Sequence, residues 1–265
     1  MKLVSSAEKA VIKKDFGEVW NTKMARTTLI LVPAVLVVAI PALFLLMIYL
    51  VPTSQMNGVD KMMELLPPEI KYYTQRQAMY YFLTNYLCPM LFLMIPMMNS
   101  TVSAACSFVG EKERSTMETL LLTPLSVKQI FRAKVYGCLL ISFLSSMISF
   151  VVFTIVVSAG DILLKMPFFF NWNWLVLVVL FAPALTIFGV IFMVLVSGRS
   201  KSYMESIQTS GYIVLPVVLL FIGQFTGLFQ LDALLLFFIS VGVLAADAVL
   251  LLIASHSFTP EKLLR

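Results

Sequence analysis

Long apolar runs dominate the 265-residue chain and alternate with short polar segments. Each run has about 20 residues or more, enough to cross a hydrocarbon core of roughly 30 Å as an α-helix. The six runs cover approximately residues 28–51, 82–109, 135–159, 173–197, 209–229 and 233–255. Little sequence is left for a soluble domain. The pattern therefore predicts an all-α, polytopic membrane protein with six transmembrane helices, forming a single domain over residues 1–265.

The segment ahead of the first run, residues 1–27, combines polar and apolar side chains at helical spacing. Its apolar stripe is Ile12, Phe16, Val19 and Trp20, and most of its lysines lie elsewhere on the helix. A helix of this kind is suited to lying in the headgroup plane of a bilayer. We therefore predict an interfacial amphipathic leader rather than a cleavable signal peptide, in which a short charged region precedes the apolar stretch.

Composition and charge set the orientation. The chain is 60% apolar and 12% charged, with a mean hydropathy of +0.95, values that exclude an ordinary soluble domain. Fifteen of the 19 Lys and Arg residues lie in the leader, after the second and fourth runs, or at the C-terminus. Because basic residues mark the cytoplasmic side of membrane proteins, both termini are predicted to be cytoplasmic. This excess requires no nucleic-acid partner.

The densest charge cluster lies between the second and third runs, in the sequence GEKERSTMETLLLTP at 110–124. Ser115 and Glu118 have the spacing of a capping box, which predicts a short helix at 116–123. Pro124 ends this helix, because proline cannot continue the hydrogen-bonding pattern.

The short helix is too rich in leucine for a solvated loop. Either it docks into a groove on a partner protein, or its leucines pack against the spans or the bilayer surface. A second capping box, formed by Ser126 and Gln129, predicts a helix from residue 127 that continues into the third run.

Residues 111–134, EKERSTMETLLLTPLSVKQIFRAK, closely resemble the signature of ABC-2 type transporter permeases. The matching positions are Glu111, Glu113, Arg114, Thr116, Glu118, Leu120, Leu121, Pro124, Ser126, Ile130 and Lys134. Ser115 replaces the usual glycine. In that family the segment between spans two and three forms the coupling helix, which contacts the ATP-binding subunit. The resemblance implies a coupling segment at 110–134, held by charged pairs of Glu113 and Arg114 while its leucines fill a groove of the ATPase.

Residues 197–206, SGRSKSYMES, resemble the family's second cytoplasmic loop, with Arg199, Lys201 and Glu205 as candidate docking residues. The resemblance implies a permease subunit of an ATP-binding cassette exporter that moves an ion, drug, peptide or lipid-like substrate. It implies two copies of an ATPase subunit, which bind ATP and Mg, and a second permease chain, identical or different. It also implies a bacterial plasma membrane location and no cofactor on this chain.

Motifs for catalysis are absent from the sequence. A nucleotide-hydrolysing phosphate loop of the form GxxxxGK[ST] does not occur. A zinc protease needs several ligands, and the chain has a single histidine, His256. An aspartyl protease needs two carboxylates within the membrane, and the apolar runs contain only Asp247. We therefore predict neither catalytic residues nor a metal site. The alternative to a transporter is an ATP-independent channel or a membrane scaffold protein.

Polar residues inside the runs are candidates for a translocation path. They are Asn85, Asn99, Ser142, Ser145, Ser146, Ser149 and Asp247. The four serines share one helical face, and they either allow close helix packing or line a path between two subunits. Asp247 could bind a cationic substrate or a coupling ion, accept a hydrogen bond from a neighbouring helix, or reach water near the cytoplasmic end.

Overall fold

The structure of the protein, a computed structural model, describes residues 6–50, 72–114, 116, 122, 124–198, 200 and 202–257, with residues 255–257 described by their backbone alone. The described residues form seven helices. The helices are α1 (Ser6–Asn21), α2 (Lys23–Leu50), α3 (Gln75–Glu113), α4 (Val127–Leu164), α5 (Trp172–Ser197), α6 (Tyr203–Phe225) and α7 (Ala233–Ser257). No strand occurs in these residues. Helices α2 to α7 are long and apolar enough to cross a membrane, which confirms the prediction of an all-α fold with six spans.

Several of the spans contain wide, π-helical turns. These turns are Ala34–Ala39, Leu83–Leu87, Ala105–Val109 and Leu177–Phe181. Three of them lie just before Pro41, Pro89 or Pro183. Each of these prolines lacks the N–H that would bind the carbonyl four residues earlier, a carbonyl inside the preceding wide turn. The sequence thus explains where three of the four helical irregularities occur.

Helices α3 and α4 extend beyond the predicted apolar runs, on both sides of the segment that joins them. Helix α4 begins with the predicted capping box, since the Gln129 backbone N–H donates to Ser126 Oγ at 3.3 Å and Ser126 N–H donates to Gln129 Oε1 at 2.9 Å. The charged residues at 110–113 and 127–134 are therefore part of α3 and α4. The predicted short helix at 116–123 and its capping box at Ser115 and Glu118 lie outside the described residues, except for Thr116 and Leu122.

Helix α3 is the centre of the bundle and is almost entirely buried, whereas α2 and α7 expose most of their surface. It packs against α4 on one side and α5 on the other. Its contact with α5 is close because Gly189 has no side chain: a Cβ at that position would overlap the Ser100 hydroxyl. Near one end of the bundle, Phe92, Phe153 and Trp174 join three helices, with 5.0 Å between the ring centroids of the last two.

Helix α1 packs against α4 and the end of α3. Val11 and Val19 face the protein, while Phe16 and Trp20 are each 50% exposed. The predicted apolar stripe is therefore divided, with Val19 packed against the protein and Phe16 and Trp20 on the outer surface. The sequence pattern located the helix, but it did not separate the side chains that contact the protein from those that face outward.

Candidate functional site

Charged residues of several helices meet at one end of the bundle, where α1, the end of α3 and the start of α4 carry many Lys and Arg residues. This end is called the basic end. Helix α3 carries Glu111 and Glu113 in its last turn, followed by Arg114. The Thr116 backbone N–H then donates to the Glu111 carbonyl oxygen at 3.0 Å, and Pro124 lies exposed in the bend before α4. The remaining docking residues predicted in this segment, Glu118, Leu120 and Leu121, lie outside the described residues.

Glu111 belongs to a buried charge cluster that joins α1, α3 and α4. Its Oε2 lies 2.8 Å from Lys134 Nζ, and neither side chain is exposed. Lys134 Nζ also donates to the Ser107 carbonyl oxygen at 2.8 Å and lies 3.5 Å from Asp15 Oδ1. Asp15 Oδ2 in turn accepts a hydrogen bond from the Ser107 hydroxyl at 2.8 Å. Because these contacts are shielded from water, the attraction between the charges is stronger than at the surface.

A partly exposed layer of ion pairs covers this cluster. Lys14 Nζ lies 2.6 Å from the second oxygen of Glu111, so that one carboxylate binds ammonium groups from two helices. A guanidinium nitrogen of Arg114 lies 3.6 Å from a carboxylate oxygen of Glu18 on α1. The Arg114 Nε–H donates a hydrogen bond to the backbone carbonyl oxygen of Gly110, one turn earlier in the chain. The end of α3 is therefore fixed to α1 by two ion pairs, Lys14–Glu111 and Arg114–Glu18.

The cluster shifts the pKa values of two α1 side chains, Asp15 and Lys14. Burial raises the pKa of the Asp15 carboxyl, and the nearby Lys134 charge and Ser107 hydrogen bond only partly oppose this effect. Partial burial lowers the pKa of Lys14, but its hydrogen bond and charge interaction with Glu111 outweigh the burial and raise that pKa overall. The cost of ionising Asp15 is therefore compensated incompletely.

A second connection links the end of α3 to the start of α6. Glu113 Oε2 accepts a hydrogen bond at 3.1 Å from the backbone N–H of Tyr203, the first residue of α6. Ser202 caps the same helix, since its hydroxyl oxygen accepts from the Glu205 N–H at 3.2 Å. A carboxylate is favourable here because the N-terminus of a helix carries partial positive charge. The other predicted residues of this loop, Arg199 and Lys201, lie outside the described residues.

Carboxylate oxygens of Asp15, Glu18 and Glu111 lie within 4.8 Å of one another, a spacing that a metal ion could bridge. In this arrangement, however, Lys134 pairs with two of the three carboxylates, and Lys14 pairs with Glu18 and Glu111. The two ammonium groups therefore supply the positive charge that a metal would otherwise bring.

The serine face of α4 divides between packing and a single side-chain contact to α3. Ser142 and Ser146 are buried, and the hydroxyls of Ser142, Ser146 and Ser149 each donate to the carbonyl four residues earlier. Ser145 differs, because its oxygen accepts from the Asn99 side-chain amide at 2.9 Å. The hydroxyl protons of Ser142, Ser146 and Ser149 are therefore hydrogen-bonded within α4, while Ser145 connects α4 to α3.

The other two candidates for a path lie apart from the serines. Asn85 accepts a hydrogen bond from the Asn171 amide at 2.7 Å, toward the end of the bundle opposite the charge cluster. Asp247 is only 2% exposed, and neither carboxylate oxygen has a hydrogen-bond partner among the described residues. The polar partner on a neighbouring helix that the sequence suggested is therefore not found in the described part of the chain.

Sequence reasoning missed the contribution of α1 to the site. Glu8 and Asp15 lie two turns apart on one face, and Glu18 follows Asp15 within one turn. This spacing shows that the carboxylates share one face of α1, but it does not show which groups that face contacts. The partner of Asp15, Lys134, was identified only as a position that matches the family signature.

Comparison with known proteins adds one match. A family model described as ABC-2 family transporter protein matches residues 63–242, more than half of the chain. No curated protein and no solved structure matches the chain. The matched range contains the end of α3, the segment between α3 and α4, and the start of α6, but not α1.

Proposed function

Because the chain belongs to the ABC-2 family of transporters, we propose that it is the membrane-spanning permease subunit of an ATP-binding cassette exporter. Its substrate is an ion, drug, peptide or lipid-like molecule. A separate ATPase subunit binds ATP and Mg and hydrolyses the nucleotide. The working assembly contains two ATPase subunits and two permease chains, either identical or paired with a sister chain, because six spans make up half of a transporter of this type.

The observation that carries the proposal is that the family signature begins and ends within the buried charge cluster, at Glu111 and Lys134. The signature begins at Glu111, which contacts α4 through Lys134 and α1 through Lys14. A force applied to the segment at 111–123 is thereby transmitted to three helices at once. Closure of the ATPase subunits provides such a force, and the resulting movement of α3 and α4 alternately opens the path between the two permease chains to each side.

In this proposal the basic end of the bundle faces the cytoplasm of a bacterial cell, and the chain spans the plasma membrane with both termini inside. The excess of Lys and Arg at this end supports that orientation. Glu113 and Arg114 guide the coupling segment onto the ATPase, where Leu120 and Leu121 fill its groove. Charge-assisted hydrogen bonds supply the geometric specificity of that contact.

The test is co-expression with the ATPase encoded beside this gene, followed by purification through a tag on the permease. We expect the ATPase to co-purify, and we expect proteoliposomes that contain both proteins to transport substrate only when ATP is supplied. Flux through the permease alone, without ATP, would instead identify a channel. Absence of both the complex and any flux would identify a scaffold protein and refute the transporter assignment.

A further inference from the structure

Helix α1 separates its charges between two faces. The three carboxylates Glu8, Asp15 and Glu18 all contact cations of the protein. Glu8 pairs with Arg132 of α4. The acidic residues of α1 are therefore neutralised inward, and they leave no negative charge from this helix on its outer surface.

The opposite face of α1 is cationic and aromatic. Lys9, Lys13, Phe16 and Trp20 follow one another at spacings of four, three and four residues, which places them on a single narrow stripe. These two lysines therefore share the face of Phe16 and Trp20, unlike the prediction that most lysines of the leader lie elsewhere on the helix. Lys9 and Lys13 are exposed, and neither forms an ion pair within the described part of the chain. A stripe of this composition is typical of helices that bind the surface of an anionic bilayer.

The aromatic end of this stripe opens onto a groove between α2 and α4 with a volume of about 480 Å³. Phe16 and Trp20 form one end of the groove, and its walls are mainly aliphatic residues such as Ile30 and Ile148. Ser145 and Ser149 also lie on the wall, but their hydroxyl groups are hydrogen-bonded within the bundle. The groove therefore presents an apolar surface, which suits a hydrocarbon chain and not a polar solute.

A third exposed cation lies on α2, one helical turn before the residues of that helix that line the groove. Arg26 is exposed, forms no ion pair with a described residue, and precedes Ile30 by one helical turn on α2. Lys13 of α1 and Arg26 of α2 thus each lie one helical turn before a groove residue of the same helix, Phe16 and Ile30. An amphiphile with one negative headgroup and a hydrocarbon tail fits both parts of this surface.

We propose that this surface binds an anionic glycerophospholipid, with its phosphate near Lys13 and Arg26 and one acyl chain in the groove between α2 and α4. The proposal rests on the membrane location of the helices and on their charge, and it is independent of the transported substrate. A second copy of the chain is disfavoured as the occupant, because its own leader carries the same excess of Lys and Arg and would repel these cations.

Trp20 provides a direct probe of this site. The protein is reconstituted into nanodiscs of phosphatidylcholine that contain a minor fraction of dibrominated phosphatidylglycerol or, separately, dibrominated phosphatidylcholine. Bromine quenches nearby indole emission, and the difference between the wild type and Trp20→Phe isolates the signal of this residue from Trp172 and Trp174. We expect stronger quenching of Trp20 by the anionic lipid than by the zwitterionic one at equal fraction.

Charge variants test the headgroup contact. Each cation near an anionic lipid contributes enough for roughly a fivefold change in affinity. Arg26→Gln should therefore reduce the preference for phosphatidylglycerol about fivefold by this relation, and combining it with Lys9→Gln and Lys13→Gln should abolish the preference. Lys128→Gln, which removes an exposed cation of α4 away from the groove, is the matched control and should leave the preference intact.

A groove variant tests the acyl chain. Ala34→Phe fills the groove from α2, and Ala245→Phe places the same group on the exposed surface of α7. Only the first should reduce the number of anionic lipids that native mass spectrometry finds on the purified protein. Equal quenching by the two brominated lipids, or lipid retention unaffected by Ala34→Phe, would refute the proposal. Loss of a dimer in Ala34→Phe without loss of lipid would assign the groove to a second copy and refute it as well.

Discussion

Glu111 and Lys134 lie 2.8 Å apart through Oε2 and Nζ, with both side chains fully buried, and this pair ties the end of α3 to the first turns of α4. Removing one member of a buried pair leaves an uncompensated charge, which costs far more than removing both. Substitution of Lys134 alone should therefore cost more than substitution of both residues, although the double substitution still leaves the Asp15 carboxylate without its ammonium partner.

Lys134→Met should destabilise the protein by about 3–5 kcal/mol, because it leaves the Glu111 and Asp15 carboxylates buried near each other. Thermal unfolding in detergent, followed by circular dichroism, measures the change. The double variant Glu111→Leu with Lys134→Met should be more stable than Lys134→Met alone. If the double variant is the less stable of the two, the charges do not interact as described.

Asp15 makes stability depend on pH in a specific direction. Its pKa is raised in the folded protein, so the folded state takes up a proton at higher pH than the unfolded state does. The contribution of Asp15 to stability is therefore complete below its unfolded pKa, and it is lost as the pH rises through the folded pKa. As the pH falls from about 7 to about 4, the wild type should gain unfolding free energy relative to Asp15→Asn. Parallel thermal unfolding of both proteins across that range tests this, and a constant difference would contradict the shift.

Glu113→Ala with Arg114→Ala should weaken co-purification of the ATPase while the permease still inserts into the membrane. The variant also removes the hydrogen bond from Tyr203 N–H at the start of α6. Ser202→Ala is the matched control, because it removes a cap from the same helix and leaves both charges in place. Unchanged co-purification and transport in the double variant would contradict the coupling assignment. An equal loss in Ser202→Ala would show that helix capping, and not docking charge, is responsible.

Gly189→Ala should destabilise the contact between α3 and α5 by about 1–3 kcal/mol, because the added Cβ would overlap the Ser100 hydroxyl. Ser100→Gly introduced with it should restore part of the loss. Gly242→Ala provides the control, since a Cβ there meets no atom within 4 Å. Thermal unfolding of the three variants in the same detergent separates the steric effect from the general effect of replacing glycine in a helix.

Asp247→Leu should raise the unfolding free energy by about 1 kcal/mol or more, because it removes a buried carboxyl group that has no hydrogen-bond partner in the described residues. Substrate transport measured on the same variant then distinguishes a role of Asp247 in the translocation path from a role in the structure alone. A stabilised variant that no longer transports would show that the carboxyl serves the translocation path. A variant less stable than wild type would contradict the description of this site.

Much of the fold follows from simple regularities of the sequence. The length of the apolar runs is enough to predict six spans, and the Ser126 capping box fixes the start of α4 within a residue. Both features depend on residues close together in the chain. The ends of α3 at residue 113 and of α4 at residue 164 lie beyond the predicted runs, which end at 109 and 159. Charged residues interrupt the apolar pattern at both places, but the backbone continues as a helix through them.

The charge cluster could be predicted only in part. Glu111 and Lys134 both match the family signature, but their contact depends on how α3 and α4 pack. Asp15 comes from a distant part of the sequence, and nothing local indicates that it faces Lys134 and not water or lipid headgroups. Tertiary packing brings these groups together, and helical periodicity alone does not contain that information.

The three-way contact of Asp15, Glu111 and Lys134 also constrains how this protein can evolve. Each side chain balances charge contributed by another helix, so a neutral replacement at one position creates a cost that only a change at a second position removes. Among relatives these positions should therefore vary in concert, with intermediates that carry one substitution being rare. Residues that lie far apart in the sequence should in this way be substituted together during evolution.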